Sequence, residues 1–354
     1  MQDAISVFMG RRAAATISES GWRAAPFKTL IGASGGPKWL ILSELDKVLG
    51  SELLSYATQP VTLLGSSIGT WRHACLSQPH PAAAIQRLQK AYLYQEYAST
   101  RPTPQEVSQV AEVMLQEALG QDGVKALLQQ NRFRNAIITA RAKGIARGKS
   151  GLPLLAGMTT AMTFNILSRR SLGLLFDRVA FCHAELEEVP FTQGFNTQRV
   201  ALNEENLIPA LKASGAIPLL MCCEAAISGA PKGPYWDGGI IDYHFTLTPN
   251  TAPGLVLYPH FLSRLTAGWF DKALRWRTRV APALDDLVLI CPSDAFLAKL
   301  PFGKIPDRGD FRALPPKERV AYWESCVRES AQLAEAFHVL ITGDDPLHNV
   351  QVLQ

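Results

Sequence analysis

Three short stretches of this chain hold residues whose types and spacing could do chemistry. The first is Gly65-Ser66-Ser67-Ile68-Gly69, a G-x-S-x-G pattern that follows the apolar, β-branched run Val61-Thr62-Leu63-Leu64. That order predicts a strand, a sharp turn with Ser67 at its apex, and a helix beginning near Ile68. A strained apex needs small neighbours two positions to either side, so that strand and helix can approach closely. Ser67 would then raise its hydroxyl above the sheet edge at the positive end of a helix. The second stretch is Ser34-Gly35-Gly36-Pro37-Lys38. Glycines at a strand-to-helix turn leave backbone N–H groups free to point at an anion, as an oxyanion hole requires, and Lys38 adds a positive charge beside them. The third is Tyr235-Trp236-Asp237-Gly238-Gly239, where the glycines permit positive φ and close approach of another backbone, so that Asp237 is held at a fixed angle. Singly, each has an ordinary alternative: a glycine- and serine-rich loop, a close-packing turn with a solvated lysine, and a turn aspartate bonding its own backbone two residues on. Together they offer a hydroxyl, a carboxylate and a pair of amides.

The elements that must position these groups are partly legible. Phe27–Ile31 is the first predicted strand, and Leu40, Ile41, Leu45, Val48 and Leu49 recur at helical spacing up to Gly50, a candidate C-terminal stop. With the strand at Val61 this makes a βαβ unit whose two glycine turns share one sheet edge, the edge where ligands sit in open α/β sheets. Helices are expected over Ala82–Tyr97, Gln105–Leu119, Glu204–Ser214 and Pro316–His338. Strands are expected at Asn135–Ala140, Arg178–Cys182, Gly254–Phe261 and Asp286–Pro292, and a hairpin within Glu187–Leu202. Leu152–Ile166 is apolar but falls short of the roughly 20 residues that span a bilayer. It is expected to pack in the core, with the lip of a lipid-touching acyl groove as the alternative and Arg169-Arg170 near a lipid phosphate in that case.

Composition bounds the function class. The chain has 354 residues, 47% of them hydrophobic, which is enough to bury a large α/β core. Its net charge of +4 is not gathered into a basic, aromatic-interleaved block, which argues against a nucleic-acid partner. Neither a P-loop nor a G-x-G-x-x-G turn occurs, and none of the six cysteines lies in C-x-x-C or metal-ligand spacing, so no cofactor and no metal are expected. The cysteines fit buried thiols of a reducing compartment. Met1–Arg12 has no long apolar run before its arginines, so the cytoplasm is the expected location.

From Phe27 to Ile241 the chain resembles the patatin-like phospholipases. The glycine-rich loop, G-x-S-x-G and D-G-[GA] occur in that family's order, and Ala213-Ser214-Gly215-Ala216-Ile217-Pro218 is similar to the stretch preceding its aspartate. The resemblance implies a three-layer α/β/α sandwich with a mostly parallel central sheet and helical cap elements. By position it implies a Ser67–Asp237 dyad cleaving carboxylic esters without histidine, with Gly35 and Gly36 as oxyanion donors and Lys38 as the anion- or substrate-binding cation. Residues 1–26 are then a lead-in, 27–245 the core, and 246–354 an extension completing the same domain. The substrate is a lipid or other acyl ester, and peripheral contact with a membrane surface is a further candidate interaction. The chain departs from the family at Ser34 and Trp39, which stand where glycines are usual, and the bulk of Trp39 is expected to restrict the oxyanion donors. Two other readings stay open: a Ser-His-Asp α/β-hydrolase using His244, His260, His338 or His348, and a non-catalytic acyl- or lipid-binding module on the same fold.

Overall fold

The structure, a computed structural model, describes residues 4–248, 254–280 and 284–353. In chain order its elements are β1 (Ile5–Met9), α1 (Arg11–Ser20), β2 (Phe27–Gly32), α2 (Ser43–Val48), β3 (Val61–Ser66), α3 (Ile68–Leu76), α4 (Pro81–Leu93), α5 (Pro104–Leu119), α6 (Gly123–Gln129), β4 (Phe133–Ala142), α7 (Gly151–Leu167), β5 (Phe176–Cys182), β6 (Thr197–Ala201) and α8 (Leu207–Gly215). There follow β7 (Tyr235–Asp237), α9 (Gly239–Asp242), β8 (Leu255–Pro259), the short pair β9 (Arg264–Leu265) and β10 (Arg279–Val280), β11 (Leu287–Pro292), α10 (Asp294–Lys299), α11 (Asp310–Ala313), α12 (Pro316–Thr342) and β12 (Val350–Val352).

The fold is mixed α/β, a central and mostly parallel sheet flanked by helices. Ten strands form that sheet in the order β12-β1-β11-β8-β2-β3-β4-β5-β6, with β7 added against β4. The middle strands β8, β2, β3 and β4 run parallel, while β1 is antiparallel to β11 and β5 to β4. Strands β8 and β11 are buried along their whole length, as continuous apolar runs covered by helices must be, and β5 is equally buried with its Asp177 and Arg178 ion-paired.

The register along β4 sets the geometry of everything that follows. β5 occupies one edge of β4 from Ala136 to Ala142. The other edge is shared end to end: β3 pairs with it as far as Ser66 opposite Ile138, and β7 takes over with Asp237 opposite Thr139. The end of β3 and the end of β7 are therefore neighbours, although 170 residues separate Ser67 from Asp237.

Buried ion pairs fasten the helices that carry these ends. Arg72 of α3 makes a bidentate pair with Asp46 of α2 at 2.7 Å per arm, both side chains being out of solvent. Arg178 of β5 does the same for Asp242 of α9, at 2.6 and 2.8 Å.

Several expectations are corrected. Gly50 does not end a helix; it sits in a π-turn at 49–53, where a Cβ would stand 2.9 Å from Leu76 and 3.0 Å from Pro81, so it is a packing glycine. Glu187–Leu202 is a loop and a single strand, because β6 pairs in parallel with β5. The lead-in supplies β1, whose strand was not read from the sequence, and which lies in the main sheet between β12 and β11. Leu152–Ile166 is not core: α7 buries one stripe and leaves the rest in solvent.

Replacing Arg72 with Met strands a buried carboxylate at Asp46. The expected cost is about 3–5 kcal/mol, read as a lower urea midpoint, with recovery of most of the loss when Asp46 is also made apolar.

Candidate active site

Ser67 has φ 53° and ψ −132°, a conformation that a non-glycine residue adopts at a cost of about 1–3 kcal/mol. The flanking glycines are what permit it. A Cβ on Gly69 would stand 2.0 Å from the Gly32 carbonyl oxygen, and one on Gly65 would stand 3.0 Å from the backbone of Gly69 and Thr70. Helix α3 thus lies directly on β2 and β3, and the spacing expected from the sequence has this contact as its reason.

The hydroxyl that the turn presents meets a carboxylate. Ser67 Oγ donates to Asp237 Oδ2 at 2.7 Å, while Asp237 Oδ1 accepts from the Gly239 N–H at 2.7 Å. Both readings of the aspartate are therefore realised, one by each oxygen: it bonds its own backbone two residues on, and it faces the serine. Gly238 and Gly239 have no room for side chains, since a Cβ would stand 2.2 Å from Ile138 O and 2.7 Å from Ser34 Oγ respectively. Both Ser67 and Asp237 are nearly buried, and burial pushes the Asp237 carboxyl above its ordinary value, against the lowering effect of its hydrogen bonds from Ser67 and Gly239.

The segment Ala213–Ala216 locks the two together. Ser214 Oγ accepts from the Ser67 N–H at 2.9 Å and donates to Ile138 O at 2.6 Å; the N–H groups of Asp237 and Gly238 donate to the carbonyls of Ala216 and Ser214. The sequence singled out this stretch but gave Ser214 no role.

The glycine loop is fastened to the same turn. Gly36 has φ 56°, and a Cβ on Gly35 would stand 2.6 Å from the Phe261 ring, so neither position accepts another residue. The loop is tied to the elbow by Ser34 Oγ and Ser66 Oγ at 2.8 Å, and Ser66 also donates to Asp242 O at 2.5 Å. Ser34 therefore stands where a glycine was expected because its hydroxyl bridges loop and elbow. Trp39, expected to restrict the oxyanion donors, is fully buried in the core, edge-on to Tyr92 with centroids 5.9 Å apart.

Three cations surround this loop. Lys38 sits 5.4 Å from the Phe261 centroid, and burial lowers its pKa. Lys272 holds its ammonium 3.8 Å from the centroid of Tyr243, whose carbonyl accepts from Ser34 N–H. Desolvation of that ammonium, with the like charges of Lys38 and Arg308 nearby, brings Lys272 down to about 7. The Arg308 guanidinium reaches within 3.6 Å of where a Cβ on Gly36 would stand. Lys272 and Arg308 carried no signal in the sequence, being lone cations in segments without a motif.

Among the described residues no imidazole bonds Ser67 or Asp237. His260 bonds Leu262, His244 accepts from Thr266 N–H, and His338 and His348 face Glu52 and Asp345. His244 and His260 are buried and held neutral, with His260 lowered to about 3. Among the described residues no cluster of histidine, cysteine or carboxylate side chains could hold a metal ion.

No family model and no curated protein matches the chain. Among solved structures it is distantly similar to VipD from Legionella pneumophila, at 11% identity and a TM-score of 0.35 over 99% of this chain and 75% of that one. It is similar at the same level to ExoU of Pseudomonas aeruginosa in its complex with SpcU, at 14% identity and a TM-score of 0.31 over 91% and 54%. A second structure of the type III effector ExoU gives 13% and 0.30 over 92% and 59%. The chain thus spans little more than half the length of the ExoU chains. The chemistry stands on the geometry of the site alone.

Gly69→Ala is expected to lower stability by about 1–3 kcal/mol, because a backbone must move to admit the methyl group. Gly173→Ala, whose Cβ meets nothing closer than 3.8 Å, is the near-neutral control in the same thermal melt.

Proposed function

We propose that the chain is a patatin-like serine acyl hydrolase that cleaves acyl esters, lipid esters among them, through Ser67 and Asp237. The observation that carries this reading is the direct 2.7 Å hydrogen bond from the hydroxyl of a strained apex serine to a buried carboxylate, at the edge where the glycine loop ends. A catalytic dyad must meet one objection, that an ordinary carboxylate is too weak a base for an alcohol. Burial answers part of it by raising Asp237, and the N-terminus of α3 favours the alkoxide that develops on Ser67.

In the first step Asp237 takes the Ser67 proton as Oγ bonds to the ester carbonyl carbon. The carbonyl oxygen becomes an oxyanion, for which the N–H groups of Gly35 and Gly36 are the proposed donors, each good donor contributing about 3–4 kcal/mol. Collapse breaks the bond to the leaving alkoxide, which receives the proton from Asp237 and departs as an alcohol. In the second step water attacks the acyl-serine and gives its proton to Asp237. Ser67 leaves with that proton restored, and the acid is released. Ser214 is a positioning residue: its hydroxyl takes up the N–H of the serine itself. Lys38, Lys272 and Arg308 favour substrates with negative charge beside the ester and hold the developing oxyanion in a positive field.

Ser67→Ala and Asp237→Asn are each expected to cut kcat/KM on a short-chain nitrophenyl ester by about 10⁴-fold or more while the melting curve is retained. A fluorophosphonate should label wild type at Ser67; normal turnover by either variant removes the assignment. Only ionised Asp237 can accept the proton and its pKa is raised, so activity falls as pH drops through a value above the ordinary 3.8. The acid limb of the kcat/KM profile checks this.

A further inference from the structure

The helix α7 inverts the usual pattern of a surface helix. Its 17 residues, Gly151–Leu167, contain no charged side chain. The stripe through Leu154, Met158, Ala161 and Asn165 is buried against a cluster that includes Trp236 and Ile240, beside Asp237. On the other side, Leu152, Leu155, Met162 and Ile166 fall three or four residues apart, or multiples of that, and share one face. That face is in solvent, with Leu152 and Leu167 each 79% exposed. Leu174, seven residues past the helix, is also exposed, and the exposed Trp276 adjoins Arg277, which donates to the carbonyls of Asn165 and Ile166 at the end of the helix. An exposed apolar stripe of this length marks an interaction surface.

Charge says what it interacts with. From Lys143 to Phe176 the chain has five cations and no carboxylate, against a net charge of +4 for the whole protein. Arg147 and Lys149 just before α7, and Arg170 just after it, are exposed and make no ion pair among the described residues. A second copy docked on the same face would bring these cations together. An anionic lipid surface would instead neutralise them while accepting the leucines. The helix, about 25 Å long, is too short to cross a hydrocarbon core of about 30 Å, so it would lie in the interface plane. No helix of the described residues is long and apolar enough to span. Placement agrees: α7 follows the C-terminal end of β4, at the same sheet edge as Ser67 and the glycine loop, both of which follow the ends of strands parallel to β4.

We propose that α7 docks this protein on anionic bilayers. Its apolar stripe enters the boundary between headgroups and acyl chains, and Arg147, Lys149 and Arg170 meet lipid phosphates. The acyl-hydrolase reading gives this docking its purpose, but the binding itself does not depend on turnover.

The test uses the full chain carrying Ser67→Ala, co-sedimented with phosphatidylcholine vesicles with and without phosphatidylglycerol. Binding to the anionic vesicles is expected, weakened by salt. It should fall by about tenfold or more in a Leu152→Glu/Ile166→Glu variant. In the Ser67-intact background that pair of changes should leave the melting temperature and hydrolysis of a soluble short-chain ester unaltered. Equal binding by wild type and the glutamate variant overturns the proposal, as does no binding to anionic vesicles, or a solution dimer that the glutamates dissolve. Failure of the acyl-hydrolase reading would show separately, as absent ester turnover with vesicle binding intact.

Discussion

One edge of one strand governs this molecule. β4 offers a single row of hydrogen-bonding groups to β3 and then to β7, and the handover falls between Ile138 and Thr139. Because β3 ends there in a sharp turn and β7 begins its exit there, the serine and the aspartate have no freedom to be apart. Ser214 reinforces the junction by bonding both the Ser67 amide and the Ile138 carbonyl, so the position of Ser67 is referenced to the same strand as that of Asp237.

Close backbone approach is the second constraint, and it explains the glycines. Gly32 against Gly69, and Gly238 against Ile138, are contacts in which a methyl group would meet a carbonyl oxygen. They draw α3 down onto the sheet, and the buried Arg72–Asp46 and Arg178–Asp242 pairs hold the surrounding helices at that distance. A buried pair adds little net stability, yet breaking one is costly. Such pairs suit a place where a strained turn must stay in register, because they penalise every arrangement that leaves one partner alone.

Electrostatics around the Ser67–Asp237 pair is lopsided. The carboxylate lies out of water, three cations border the glycine loop, and the nearby histidines are kept neutral by burial. In the proposed reaction Asp237 gains basicity from burial, without an imidazole, and negative charge developing on a bound ester would meet this positive field.

The sequence by itself determined the local chemistry: the G-x-S-x-G elbow, the glycine loop at Gly35-Gly36, the Asp-Gly-Gly turn, and the alternation of strands and helices that puts two of these turns at one sheet edge. These were legible because each depends on backbone geometry that only small residues permit, and such demands are written into contiguous residues. What lay in distant partners was not legible. The roles of Ser34 and Ser214, the burial of Trp39, the cations Lys272 and Arg308, the strand at Ile5–Met9 and the parallel pairing of Thr197–Ala201 all depend on groups far along the chain. Apolar composition also misplaced α7: hydrophobicity measures a preference for leaving water, and only the tertiary structure decided that one face of that helix finds no protein to cover it.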